Sequence, residues 1–180
     1  MRRVFFFAMM LVTSLVTVAQ DTAEAADILI DAPFTAFLAD EGQGTNILNK
    51  ARGATVMTLS SYSDYIFTLT APQDGWWKIL EIWHVGDDDC EVLLEGSDTG
   101  EYWIHYSALG LGTRNYGNQE LSLRDVPDEE GNVVYTFNVE LLLMPLDIQG
   151  DWVKVMVDGT DIIGWIEAEW LCSNPLTNCC

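Results

Sequence analysis

Short runs of branched and aromatic residues, broken at close intervals by Gly, Pro, Asp and Asn, fill the chain beyond its first segment. Thr55–Leu59, Tyr65–Thr70, Trp76–Trp83, Glu91–Leu94, Val133–Phe137, Leu141–Met144 and Trp152–Val157 each read as strands. Turn signals separate them: Pro72-Gln73-Asp74-Gly75 in the first part, and Asp158-Gly159 in the second, a strong hairpin signal. No stretch after the leader spaces its apolar residues as an amphipathic helix would. The pattern predicts an all-β barrel or sandwich.

The same pattern repeats. Gly53–Leu59 aligns without a gap with Gly131–Phe137, Trp76-Trp77-Lys78-Ile79 with Trp152-Val153-Lys154-Val155, and Trp103-Ile104 with Trp165-Ile166, each followed five residues on by Leu109 or Leu171. Three blocks in one order predict two copies of a small β unit. The first copy is placed at residues 27–112, with an insertion at about 86–101 that contains Asp87-Asp88-Asp89 and Cys90. The second is placed at 113–180 and ends in a Cys-containing tail. Gly110–Asn118, rich in Gly and Asn, is the expected boundary. Two units this small are expected to pack on each other, since neither has a large core alone.

The second copy carries Leu121-Ser122-Leu123-Arg124-Asp125-Val126-Pro127, then Gly150-Asp151-Trp152-Val153-Lys154-Val155, then Gly164-Trp165-Ile166. This series resembles the bacterial Src-homology-3-like domain family. The first copy matches the middle element through Asp74–Ile79, lacks the Arg-x-x-Pro part, and has Glu101-Tyr102-Trp103 in place of Gly-Trp. The tail from Trp170 to Cys179 is similar to the endings of secreted Bacteroides-type proteins of this class. The resemblance implies two tandem small Src-homology-3-like β-barrels packed together, acting as binding modules for peptides or cell-wall material. It also implies that the first Trp of the Trp-Trp pair lines the ligand groove.

Charge and leader narrow the setting. Arg2 and Arg3 precede an apolar run from Val4 to Val18, and small residues follow at Thr17-Val18-Ala19 and Ala23-Glu24-Ala25. This is the layout of a secretory signal, residues 1–19, with Ala25 as the second candidate end. The run falls short of the ~20 residues that span a bilayer, so no membrane insertion is expected after cleavage, and the protein is expected in the periplasm or outside the cell. With 28 Asp/Glu against 8 Lys/Arg and a net charge of −20, no nucleic acid is expected as partner.

In an oxidising compartment Cys90, Cys172, Cys179 and Cys180 are expected as disulfides. A bond between the neighbours Cys179 and Cys180 would be strained. The first choice is Cys172–Cys179 around a short loop, with Cys90–Cys180 tying the tail to the middle of the chain. Neither the cysteines nor His84 and His105 have metal-ligand spacing, so no metal and no cofactor are expected. The acids at Asp87–Asp89, Glu91 and Glu95 do not follow a calcium-loop spacing and read as an exposed turn.

The chain has no phosphate loop, no nucleophile elbow and no zinc-protease helix. Cys90 with His84 or His105 could form a nucleophile pair, but the expected disulfide takes the thiol, and no enzyme is predicted. Strand alternation places Trp76 with Lys78 and Trp152 with Lys154 on the solvent side, and Trp77 with Ile79 inside. Trp76 and Trp152 are therefore the candidate ligand-binding residues, with Tyr102 and Tyr106 as flanks; the alternative is that both rings cover the junction between the copies. Trp103 and Trp165 are expected in the core. The expected partner is a cell-wall peptide or glycan, or an envelope protein.

Overall fold

Alternating buried and exposed side chains lay down strand after strand, because a half-buried strand needs an apolar residue at every second position. A computed structural model describes residues 33–40, 42, 44–60, 64–86, 90–95 and 101–174. The expected leader, Cys179 and Cys180 lie outside the described residues. The strands are β1 (Phe34–Leu38), β2 (Thr45–Leu48), β3 (Thr55–Leu59), β4 (Asp64–Gln73), β5 (Trp76–Val85), β6 (Cys90–Glu95) and β7 (Tyr102–His105). A 3-10 turn at Tyr106–Ala108 leads to β8 (Leu109–Thr113), β9 (Leu121–Arg124), β10 (Val133–Phe137), β11 (Leu142–Gln149), β12 (Trp152–Val157) and β13 (Ile163–Glu167). A second 3-10 turn at Ala168–Trp170 precedes β14 (Leu171–Cys172). The fold is all-β, as expected; among the described residues no helix is long and apolar enough to cross a membrane.

All pairings are antiparallel, in the order β10-β9-β13-β12-β11-β8-β1-β4-β5-β7-β2-β3, with β14 on β8 and β6 on β5. The order contains one arrangement twice. The first half runs β8-β1-β4-β5-β7-β2-β3 and the second β14-β8-β11-β12-β13-β9-β10, so β1 stands to β4 and β8 as β8 stands to β11 and β14. Strand β8 ends one half and begins the other, and the expected boundary at 112/113 falls within it. β6, in the expected insertion, has no counterpart in the second half.

The aligned blocks fall on equivalent strands. β3 and β10 carry the same sequence of exposed, half-buried and buried positions, and both end on a buried apolar residue, Leu59 or Phe137. On β5, Trp77 and Ile79 are buried, and then a bulge changes the phase. Thr68 pairs with Glu81 and Leu69 with Ile79, which leaves Leu80 over and turns Ile82 to the core in place of Glu81. One continuous apolar core joins the halves, running from Phe67, Leu69 and Trp77 through Leu109 and Leu111 to Leu143, Val153 and Val155.

Cys172 is disulfide-bonded, to a partner outside the described residues. Cys90 is a free, exposed thiol, which corrects the expected Cys90–Cys180 staple. It opens β6, which pairs with β5, whereas Cys172 lies on β14, which pairs with β8.

Candidate functional site

The face of the sheet that carries the lysines is built in rows across three strands. In the second half Arg124 on β9 stands beside Trp165 on β13, which stands beside Lys154 on β12. In the first half the same row is Leu48, Trp103 and Lys78. The next row pairs Glu167 with Trp152 in the second half and His105 with Trp76 in the first. Trp103 and Trp165 are both buried as expected, but on this lysine face. The Lys154 Nζ sits 5.8 Å from the Trp165 ring centre, whereas Lys78 bonds Glu101 at 2.9 Å.

In the second half these rows open into a cavity of about 210 Å³. Glu120, Ser122, Arg124, Trp152, Glu167 and Trp170 give it its polar and aromatic walls, with Leu121 and Ile166 beneath. Alternation on β9 explains two of these: Leu121 and Leu123 point to the core, so Ser122 and Arg124 point out. The 3-10 turn after β13 brings Trp170 to the rim, where its indole Nε1 donates to Glu167 Oε2 at 3.3 Å. The Arg124 guanidinium is held from behind, donating from Nη1 to the Gly131 carbonyl at 2.7 Å.

The first half spends the equivalent ground on its own side chains. Trp76 meets His105 edge-on at 4.9 Å between ring centres, and His105 meets Tyr106 at 4.5 Å. Gly75 makes room for this: with φ of +83° it suits a tight hairpin turn, and a Cβ there would come within 3.2 Å of the Tyr106 ring. The Tyr106 N–H donates to the Gly75 carbonyl at 3.0 Å, the bond that Ala168 makes to Asp151 at 2.7 Å in the second half. At matching positions, then, Tyr106 stands where the second half has Ala168, and Ala108 where it has Trp170.

Burial pushes the His105 imidazole below the ordinary histidine range, and the Arg52 guanidinium adds to the effect. The unfolded chain therefore binds a proton that folded His105 resists. Stability should be full above about pH 6.5 and fall as pH drops below it. Denaturant midpoints compared at about pH 5 and about pH 7.5 should differ less in His105→Gln than in the natural chain.

The predicted ligand-facing residues are thus divided. Trp152 lines the cavity; Trp76 is half-buried in an aromatic cluster with Tyr106. Four strands separate β12 from β5 in the sheet order. Tyr102 does not flank Trp76: it stands opposite Ile79 and packs on the core side. Arg124, Glu120, Glu167 and Trp170 were not singled out as site residues by sequence reasoning.

No family model matches the chain. No curated protein matches it either. Among solved structures it is similar to NlpC1 and NlpC2 from Trichomonas vaginalis, both at 15% identity and a TM-score of 0.30. The likeness covers 78% and 79% of this chain but 46% and 48% of those proteins, so the chain spans about half their length. Likeness this distant fixes neither fold family nor function.

Proposed function

We propose that this chain is an exported, non-catalytic binding module of the cell envelope, made of two tandem Src-homology-3-like barrels, that recognises peptidoglycan peptide or glycan. The observation that carries the reading is the open cavity at Trp152, where two tryptophans and charges of both signs face solvent on a rigid sheet. Indole rings offer a flat apolar wall at little entropic cost, and Arg and Glu supply directional contacts. The repeated topology supports the two-barrel architecture, and the leader-like start of the sequence supports export. On this reading each chain binds through its second half, because Tyr106 and His105 occupy the matching place in the first.

The test is co-sedimentation with purified peptidoglycan sacculi. Trp152→Ala should weaken retention by about tenfold or more, the scale of a central aromatic contact, while Trp76→Ala should leave it nearly unchanged. Failure of the natural, folded chain to sediment would remove wall binding.

A second reading, a protein-interaction or assembly subunit, is favoured by β10. This strand ends the sheet order, and Val133 and Val134 on it are 51% and 48% exposed. A bare edge of branched residues is a template for an added strand. If sacculi are not bound, Val134→Lys should abolish capture of an envelope protein.

A further inference from the structure

The cavity at Trp152 holds opposite charges that do not satisfy each other. Its walls carry Arg124, Glu120 and Glu167, yet among the described residues the ion pair made by a lysine or arginine is Lys78–Glu101, and none involves Arg124. The bond from Arg124 Nη1 to Gly131 fixes the guanidinium and leaves most of its five N–H donors unspent. Glu167 is oriented by Trp170 through one carboxylate oxygen. The fold itself has no need of this set, since the first half places Leu48, His105 and Ala108 at the positions of Arg124, Glu167 and Trp170. A volume near 210 Å³ lies below the ~300–1,000 Å³ of pockets for larger ligands, and so suits a small dipeptide better than an oligosaccharide.

We infer that the cavity accepts a short zwitterionic peptide with both ends free, its carboxylate on Arg124 and its ammonium on Glu120 and Glu167, between the rings of Trp152 and Trp170. The planar guanidinium can take a carboxylate through two parallel hydrogen bonds, which a hydroxyl-rich sugar does not reproduce. The inference rests on the wall-binding reading and narrows it from peptide or glycan to a short peptide with both charged groups free.

The probes are alanyl-alanine, its N-acetyl form and its C-terminal amide, titrated calorimetrically into the full chain. The free dipeptide should bind one to one. Each capped form should bind at least about tenfold more weakly, as should Arg124→Leu, which takes the residue of the first half, and Glu167→Gln. On Arg124→Leu, amidation should cause no further loss. Equal binding of free and capped dipeptides overturns the inference without reliance on any variant. If no dipeptide binds but sacculi still sediment through Trp152, the inference fails while wall binding stands; if neither binds, both fail.

Discussion

Trp77→Ala should destabilise the protein by about 3–5 kcal/mol, the cost of emptying a large buried aromatic site. Trp77 is fully buried and packs against Phe34, with ring centres 5.6 Å apart. Its indole Nε1 donates to the Pro145 carbonyl at 3.0 Å, a bond from β5 in the first half to β11 in the second. Pro145 borders a bulge: it pairs with Val155 and Asp147 with Lys154, leaving Leu146 over, and such irregular places are where a strand tolerates proline. Removal of the indole leaves that buried carbonyl unpaired as well as opening a cavity. Trp77→Phe keeps most of the packing and should cost roughly 1–3 kcal/mol, mainly from the orphaned acceptor. Guanidinium unfolding measures both. Because the core runs through both halves, the natural chain should unfold in one transition; two separate transitions would contradict this account.

Gly110→Ala should cost about 1–3 kcal/mol, the usual range for overpacking, while Gly112→Ala two residues on should be neutral or slightly stabilising. The contrast comes from the seam where β8 meets β1. Gly110 pairs with Phe37, and a Cβ there would lie 2.6 Å from the Phe37 ring and 2.7 Å from the Ala39 Cβ. The Phe37 ring can turn aside, but the Ala39 methyl is fixed to the backbone. At Gly112 the nearest atoms, both of Cys172, stand 3.9 Å away. Thermal melting of the two variants side by side checks the prediction, and equal losses at both positions would sink it.

Much of the sheet could be read from the chain, for a local reason. Lys78 and Lys154 mark the solvent side of their strands, and alternation then sorts Trp76 from Trp77 and Trp152 from Val153 without any long-range information. The repeat blocks landed on β3 and β10, β5 and β12, and β7 and β13. Strands β1 and β8 escaped, because Phe34–Leu38 and Leu109–Thr113 share no visible pattern and their equivalence exists only through partners distant in sequence. The glycines of β8 looked like a linker, whereas Gly110 is there to let Phe37 approach. Tyr102 is harder to place: on β7 both Trp103 and Ile104 are buried, and it is the pairing with Ile79 that puts Tyr102 on the core side. The cavity was half legible. Trp152 followed from its lysine neighbour, but Trp170 reaches the rim through a 3-10 turn, which follows no two-residue period, and Arg124 stood out only as part of a strand motif. Cys90 was paired by counting cysteines, a rule blind to which strand carries each one.

The strand held in common by the two halves decides what recombination can carry from one gene to another. A fragment starting after Thr113 would leave Leu142, Leu143, Leu171 and Cys172 without the neighbour they pair with. A fragment stopping before Leu109 would strip β1 of a partner and expose a bare edge prone to sticking. The second half is therefore no freely portable cassette, because it needs β8 from the first half to complete its sheet. Growth by duplication is easier than division, for β14 sits on β8 as β8 sits on β1, and a third unit could begin from it without a new first strand.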